Sequence, residues 1–460
     1  MSEHKSHVNV DSEKAPPPHL DATPETEKDT HHELDSLTVL GYTPELHRNR
    51  SLFTLLFQTL AIAAIPYGEG GPLISAIYGG GQLSIFVGWL VVLVLITATV
   101  AMYHPDFVAE SWQLLLIFYA ICLASFVICA FGNKFLPMVD TICAAWTLLS
   151  ILIILIALSV KADVGRHSAA YALGHYDTSL SGWGGFTFFI GLLPAAYTFS
   201  AIGMIASMAE EVADPTIQVP RALSLCVPVG GLAGLFFIIP ICATLPNLTD
   251  ILTAPSGQAI PYIFHIVMGS PGGGLGLTFL VLGVTLFCSI SITNAASRCT
   301  WAFARDKAIP GYKLFTVVNT KLGVPVYALA LVTIVQMLLG LINLGSSSAF
   351  TAFVSVGVIA LAVSYAIPIG ISLLWNKRVE VNQARWNCGH VIGTVVNWVS
   401  LLWIGFEVVL FSMPTALPVT VVSMNYAIVV LMGFLAISAV WYGVYARKVY
   451  NGPPASDGLS

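Results

Sequence analysis

Charged residues are scarce in this chain. Asp, Glu, Lys and Arg make up 9% of its 460 residues, against about 25% in soluble globular domains. The net charge is −5 with no basic stripe, which gives a nucleic-acid surface no support. The 8 cysteines form no Cys-x-x-Cys pair and no Cys/His cluster at metal spacing, so no metal centre is read. Cys122, Cys129, Cys143, Cys226, Cys242 and Cys288 lie inside apolar runs, where a thiol acts as a small packing group. There is no P-loop, dinucleotide-binding glycine pattern, HExxH or GxSxG, and hence no signature of a cofactor or of hydrolytic chemistry.

What the chain has is apolar length. It is 56% hydrophobic, with a mean hydropathy of +0.82, the composition of a membrane protein. A helix crosses a bilayer with about 20 apolar residues. Candidates fall at 52–78, 82–102, 112–132, 135–159, 183–207, 222–246, 275–300, 325–344, 349–374, 394–413 and 423–446. Residues 1–50 hold 10 of the 24 acids and 6 of the 11 histidines. Such a segment buries too little apolar surface to offset chain entropy, so a disordered tail is expected there. Without a cleavage-type signal, the first span is expected to serve as an uncleaved anchor. The membrane domain is then 51–448, and 449–460 is a short C-terminal tail.

Orientation follows from lysine and arginine in the short loops. Arg48 and Arg50 precede span one. Lys134, Arg221, the group from Arg298 to Lys321, Lys377, Arg378, Arg385, Arg447 and Lys448 mark inner loops. Both termini are therefore expected in the cytoplasm. Lys161 and Arg166 in the outer loop 160–182 are a mild exception. Eleven spans, however, cannot begin and end on one side. Both flanks of span two, "YGGGQ" and "MYHPDFVAES", lack lysine and arginine, and their neighbours place both outside. The stretch "VVLVLITATVAMYHPDF" (91–107) is thus either an interfacial or re-entrant piece or the scar of a missing segment.

Three segments carry a resemblance. "LGYTPELHRNRSLFTLLFQTLAIA", "MAEEVADPTIQVPRAL" and "NAASRCTWAFARDKAIPGYKLFTVVNTKLGVPVYAL" resemble the fungal amino acid–choline (GABA/choline permease) group of the APC superfamily of secondary transporters, over roughly residues 37–450. The resemblance implies an all-α polytopic membrane protein with twelve helices, ten of them in two inverted five-helix repeats. About eleven are recognisable here. The family pattern continues helix two after "GWLVVLVL"; here Leu95 runs into Ile96 and what looks like the end of helix three. The inner halves of helices two and three are absent by comparison, at the place where span parity fails.

Breaks inside spanning helices free backbone groups, and they are tolerated where they line a cavity. The first candidate is "AIPYGEGGPL" (64–73), with Pro66, Tyr67, Gly68, Glu69, Gly70 and Gly71. Its prolines and glycines uncouple the helix and let a ligand approach the backbone; a kink without a ligand is the alternative. Glu69 could hold an ammonium group or take up a coupled proton, or lie solvated at the outer interface. The second is "GLLPAAYTFSAIG" (191–203), with Tyr197, Thr198, Phe199, Ser200 and Gly203. Its aromatics suit an amine by cation–π contact, and its small residues also suit helix packing.

Glu210, Glu211 and Asp214 sit where span five ends. Their place in a family-like segment implies an inner gate with Arg221 or the Arg298–Arg305 group, against simple solvation. Asn294 and Arg298 could line the inner pathway, although inner-loop anchoring also explains Arg298. Asp140 lies close to Lys134 and Glu407 outside the ten-helix core; an interfacial and a structural role are expected of them.

The expected function is a transporter of small amino acids or amines, coupled through the resemblance to inward proton movement and working in the lipid bilayer. The plasma membrane is preferred over the vacuole as its location. The rival from another class is a non-transporting membrane sensor or degenerate permease, favoured by the missing half-helices. A membrane enzyme would need a catalytic cluster that the loops do not offer.

Overall fold

A helix that is apolar on every face must be surrounded by lipid or by other helices, and such helices dominate this protein. The computed structural model describes residues 46, 48–68, 110–174, 181–192, 198–212, 214–252, 259–345, 347–374, 388–414, 417–420 and 424–450. Among these there is no β-strand, only the isolated bridges Arg50–Val212 and Asn319–Val324. Among the described residues seven helices are long and apolar enough to cross a membrane, and three apolar helices are shorter. The chain is thus an all-α polytopic membrane protein. The Leu95–Ile96 junction lies outside the described residues.

Helix α1 (Leu52–Ala63) starts at Ser51, whose hydroxyl accepts from Thr54 N while the Thr54 hydroxyl accepts from Ser51 N, a reciprocal cap. It ends at Ala64, held left-handed at φ 42°, ψ 51°, a conformation that costs a non-glycine residue ~1–2 kcal/mol. The chain resumes in a single short turn, Ile65–Gly68. Helix α2 (Ser111–Phe131) passes through a 3-10 turn at Asn133–Phe135 into α3 (Leu136–Lys161), with Pro137 in its first turn, where no amide partner is lost.

The span expected at 183–207 is not one helix. It comprises the short turns Gly184–Phe186 and Thr187–Gly191, and then a 3-10 helix, Ile202–Glu211. A 3-10 run of 10 residues exceeds the usual three or four, so its side chains are held by tertiary packing. Helix α4 (Pro215–Ala243) runs unbroken through Pro220, Pro228 and Pro240. The hydroxyls of Ser224 and Thr244 donate to the carbonyls of Pro220 and Pro240, satisfying acceptors at the first and last of these.

The loop after α4 contains a helix that the hydropathy pattern missed, α5 (Ala259–Met268), at 10 residues too short to span. Its Ile263, Phe264 and Val267 are fully buried in one apolar cluster with Ala64, Leu158, Phe237 and Val281. Helix α6 (Pro271–Arg305) is the central post, packed by α1, α2, α3, α5 and α7 (Val326–Gly345). Helices α8 (Ser347–Leu374), α9 (His390–Leu410) and α10 (Ala427–Trp441) form a flank. In α9 the most apolar window is 0% buried, against 56% in α6; Val391, Leu402 and Val409 face outward, as suits a lipid-facing helix.

Candidate functional site

Two interrupted segments meet over one glycine. A Cβ built on Gly230 of α4 would lie 2.8 Å from Phe199 Cε1 and 3.2 Å from Ile65 Cδ1. Ile65 opens the turn after the α1 break, and Phe199 lies just ahead of the 3-10 helix, so the two expected breaks are neighbours. A second close approach holds the later segment. Tyr365 of α8 donates to the Ser200 carbonyl at 3.3 Å, and its hydroxyl oxygen would lie 2.5 Å from a Cβ on Gly203. Pro66 is buried, Thr198 is buried, and Phe199, Ser200 and Gly203 are half-buried. Tyr67 and Gly68 belong to the short turn. Glu69, Gly70, Gly71 and Tyr197 lie outside the described residues.

Where α1 begins, four charges form a buried cluster. Arg50 Nε donates to Glu211 Oε2 at 3.0 Å, and Arg50 Nη1 donates to Asp140 Oδ2 at 3.0 Å and Gln58 Oε1 at 2.6 Å. Arg298 Nε donates to Glu211 Oε1 at 2.6 Å, and its Nη2 to Asn133 Oδ1 at 3.0 Å. Ser291 donates to Asp140 Oδ1 at 3.0 Å. The amides of Asn49 and Arg50 both reach the Glu211 carbonyl at 3.1 Å. All four charged residues are 3% exposed or less. Two cations and two anions cancel, which lets the group stay buried; removing one partner would leave a charge uncompensated at several kcal/mol.

Electrostatics at the ends of the spans follow from this arrangement. Burial by itself would push the Glu211 carboxyl up, but the guanidinium groups of Arg298 and Arg50 outweigh it and hold the group below its ordinary value. Burial would lower Arg50, yet Glu211 and Asp140 raise it. Glu211 therefore stays ionised.

The expected gate residues are brought together selectively. Glu211 pairs with Arg298 and Arg50. Glu210 pairs with Arg305 at 2.5 Å, and the Arg305 guanidinium stacks 4.6 Å from the Trp301 ring centre. Arg221, the other partner considered, is exposed on α4. Asp214 accepts from the Thr216 hydroxyl, as at a helix start. Asn294 is buried, with Nδ2 3.9 Å from Met208 Sδ and Oδ1 unpartnered among the described residues. The residues that sequence reasoning missed are Arg50, Gln58, Asp140, Gly230 and Tyr365. Asp140 is no interfacial charge, since Arg50 and Ser291 enclose it.

A family model described as amino acid permease matches residues 72–435. A choline transporter of Saccharomyces cerevisiae is 30% identical over 379 residues, 81% of this chain and 66% of its own length. A polyamine transporter of the same yeast is 29% identical over 393 residues, 83% of this chain and 61% of its own. An uncharacterized amino-acid permease of Schizosaccharomyces pombe is 36% identical over 276 residues, 59% and 51% respectively. The chain thus spans between half and two thirds of the length of these relatives.

Proposed function

We propose that this chain, which belongs to the amino acid permease family, is a secondary transporter of small amino acids or amines that imports them with protons by alternating access. The observation that carries this reading is the meeting of the two interrupted spans at Gly230, flanked by Ile65 and Phe199. Breaks in corresponding spans of two repeats leave backbone amides and carbonyls free to hold a charged substrate. Pro66, Tyr67, Gly68, Glu69, Gly70 and Gly71 line the site from the first repeat. Tyr197, Thr198, Phe199, Ser200 and Gly203 line it from the second. Relatives named as choline and polyamine transporters support an amine as cargo, and the Phe199 ring offers it a cation–π face.

The buried cluster of Arg50, Asp140, Glu211 and Arg298 acts as the inner gate, with Glu210–Arg305 beside it and Asn294 on the path. Glu69 takes the coupled proton. One positive charge moving inward gains about 2.3 kcal/mol per 100 mV of membrane potential, which supplies the drive. Residues 1–50 and 449–460 lie on the cytoplasmic side, the first of these segments ending in Arg50 folded into the gate, and the plasma membrane is the site of action.

The test is uptake by the purified chain in liposomes, with labelled choline, GABA, putrescine and neutral amino acids offered in turn. Saturable uptake of at least one, stimulated by an acid exterior and an inside-negative potential and abolished by a protonophore, is expected. No uptake of any under either gradient overturns the reading in favour of a non-transporting sensor.

A further inference from the structure

The four buried charges divide along a line that the hydrogen bonds draw. Arg50 and Glu211 are tied by two backbone bonds from Asn49 and Arg50 to the Glu211 carbonyl, by the Arg50–Glu211 ion pair, and by the Arg50–Val212 bridge. Gln58 of α1 belongs to the same group through Arg50. On the other side, α3, with the 3-10 turn that leads into it, and α6 are tied by Ser291 to Asp140, by Arg298 to Asn133 of that turn, and by the Trp146 indole to the Leu280 carbonyl at 2.9 Å. Among the four charges, two ion pairs cross between the groups, Arg50–Asp140 and Arg298–Glu211; the more exposed Glu210–Arg305 pair and the Ser207 bond to the Ala295 carbonyl also tie the 3-10 helix to α6. Of the four, each group carries one cation and one anion.

We propose that Asp140 is the second partner of Arg298. When the gate opens, the Arg50–Glu211 group withdraws as a neutral unit, and Arg298 exchanges Glu211 for Asp140. The inference rests on the transport reading, since that reading supplies the opening.

The seam between α3 and α6 is built for the exchange. Ser291 faces Asp140 and Arg298 faces Asn133, so the two elements run antiparallel. Ser291 and Arg298 stand seven residues apart, about 10.5 Å along a helix axis. Side chains on a helix lean toward its N-terminus. On α6 that carries Arg298 toward the level of Ser291; on α3 it carries Asp140 toward the level of Asn133. The two charges therefore lean toward each other, within the span of an extended arginine and a short carboxylate. One turn before Arg298 stands Asn294, 1% exposed, whose Oδ1 has no partner among the described residues. A buried acceptor left unpaired is costly, and a guanidinium passing from Glu211 to Asp140 would satisfy it. After the exchange each of the four buried charges keeps a counter-charge, so opening avoids the penalty of stranding one of them; Glu210 and Arg305, which pair across the same seam, are the more exposed pair and part there.

The experiment is a cryo-EM structure of the full chain carrying R50Q and E211Q in lipid nanodiscs, which removes the withdrawing pair and leaves Arg298 and Asp140. Arg298 is expected within about 4 Å of an Asp140 oxygen, having left Asn133. Arg298 still on Asn133, with no carboxylate in contact, overturns the proposal. Adding D140N gives an independent sign. If the pair forms, the melting midpoint falls by about 5 °C or more, because a buried guanidinium loses its counter-charge. If the pair does not form, D140N removes an isolated buried carboxylate and the midpoint stays or rises, which also overturns it. Should R50Q/E211Q fail to accumulate, R50M/E211M, which removes the same two charges, puts the same question to Arg298. Uptake by the unaltered chain is measured alongside: no uptake with the pair present overturns the transport reading only, and uptake without the pair overturns the exchange only.

Discussion

Gly230→Ala adds one methyl where two broken spans touch. Its carbon would stand 2.8 Å from Phe199 Cε1, 3.0 Å from Cζ and 3.2 Å from Ile65 Cδ1, where carbon atoms settle at about 3.5–4.0 Å. One neighbour must retreat by roughly 0.5–1 Å. Two effects on stability oppose each other. Alanine in a helix interior is favoured over glycine by about 1 kcal/mol, and overpacking costs about 1–3 kcal/mol. A half-buried ring edge yields more readily than backbone, so the cost falls at the low end and the melting point should hardly move. The displaced Phe199 is in the expected substrate run, so affinity reports the change instead. Misplacing that ring by ~1.4 kcal/mol of interaction raises KM about tenfold. Gly231 is the control. It meets nothing within 4 Å, so Gly231→Ala should keep its KM and gain the helix preference alone. The assay is concentration-dependent uptake by matched liposome preparations. Equal KM for the two variants would refute the close approach at Gly230 and the convergence of the two breaks.

Other substitutions test the remaining contacts. Gly203→Ala should abolish uptake, because the Tyr365 ring carbons at 2.6 and 2.8 Å collide with the new methyl as well as the hydroxyl does; Tyr365→Phe should then fail to restore it, and restored uptake would contradict the packing. Tyr365→Phe by itself removes the bond to the Ser200 carbonyl and should cost about 1 kcal/mol, read as a KM increase of under tenfold. Arg50→Ala should lower stability by about 3–5 kcal/mol, since Asp140 loses the cation that pairs with it while Glu211 keeps Arg298; chemical unfolding that shows under 1 kcal/mol would deny the cluster a structural role. Acid gives a fourth test. The Glu211 carboxyl is held below 4.5 in the folded chain, so its contribution is full above 4.5 and is lost as pH falls through the depressed value. The share of the melting point that Glu211 supplies, read as the difference from Glu211→Gln, should be flat from neutrality to about pH 5 and decline below that.

A buried electroneutral cluster is a poor source of net stability, because desolvating four charges offsets most of their mutual attraction. What it supplies is an alternative that is costly to enter halfway. Separating one charge from the group strands an ion, whereas separating a neutral half does not. That property suits a gate with two positions better than a rigid brace.

Much of the frame was readable from the chain alone. Long apolar runs at 9% charge admit few arrangements other than spanning helices, because backbone polar groups in lipid must be satisfied within the segment. The breaks were readable too. Proline removes a donor and glycine weakens a helix, so "AIPYGEGGPL" marked the end of α1, and "GLLPAAYTFSAIG" marked a span that the structure shows as short turns and a 3-10 helix. The pairing of charges was readable only in part: the family-like segment set Glu210 and Glu211 against the Arg298–Arg305 group, whose members they meet, but nothing in the chain brought in Arg50 or Asp140. Arg50, Asp140, Glu211 and Arg298 lie 87 or more residues apart along each bond, and helical spacing relates only neighbours three or four residues apart. Arg50 and Asp140 looked like ordinary charges at a membrane boundary, and only the packing of α1, α3, the 3-10 helix and α6 turned them toward Glu211 and Arg298. Gly230 and Tyr365 are of the same kind: one glycine among several in "PVGGLAG" and one aromatic in an apolar helix. Hydropathy and backbone chemistry are local properties and travel with the sequence. Which charge faces which, and which glycine meets a ring, are decided by distances between segments, and those exist only once the helices have packed.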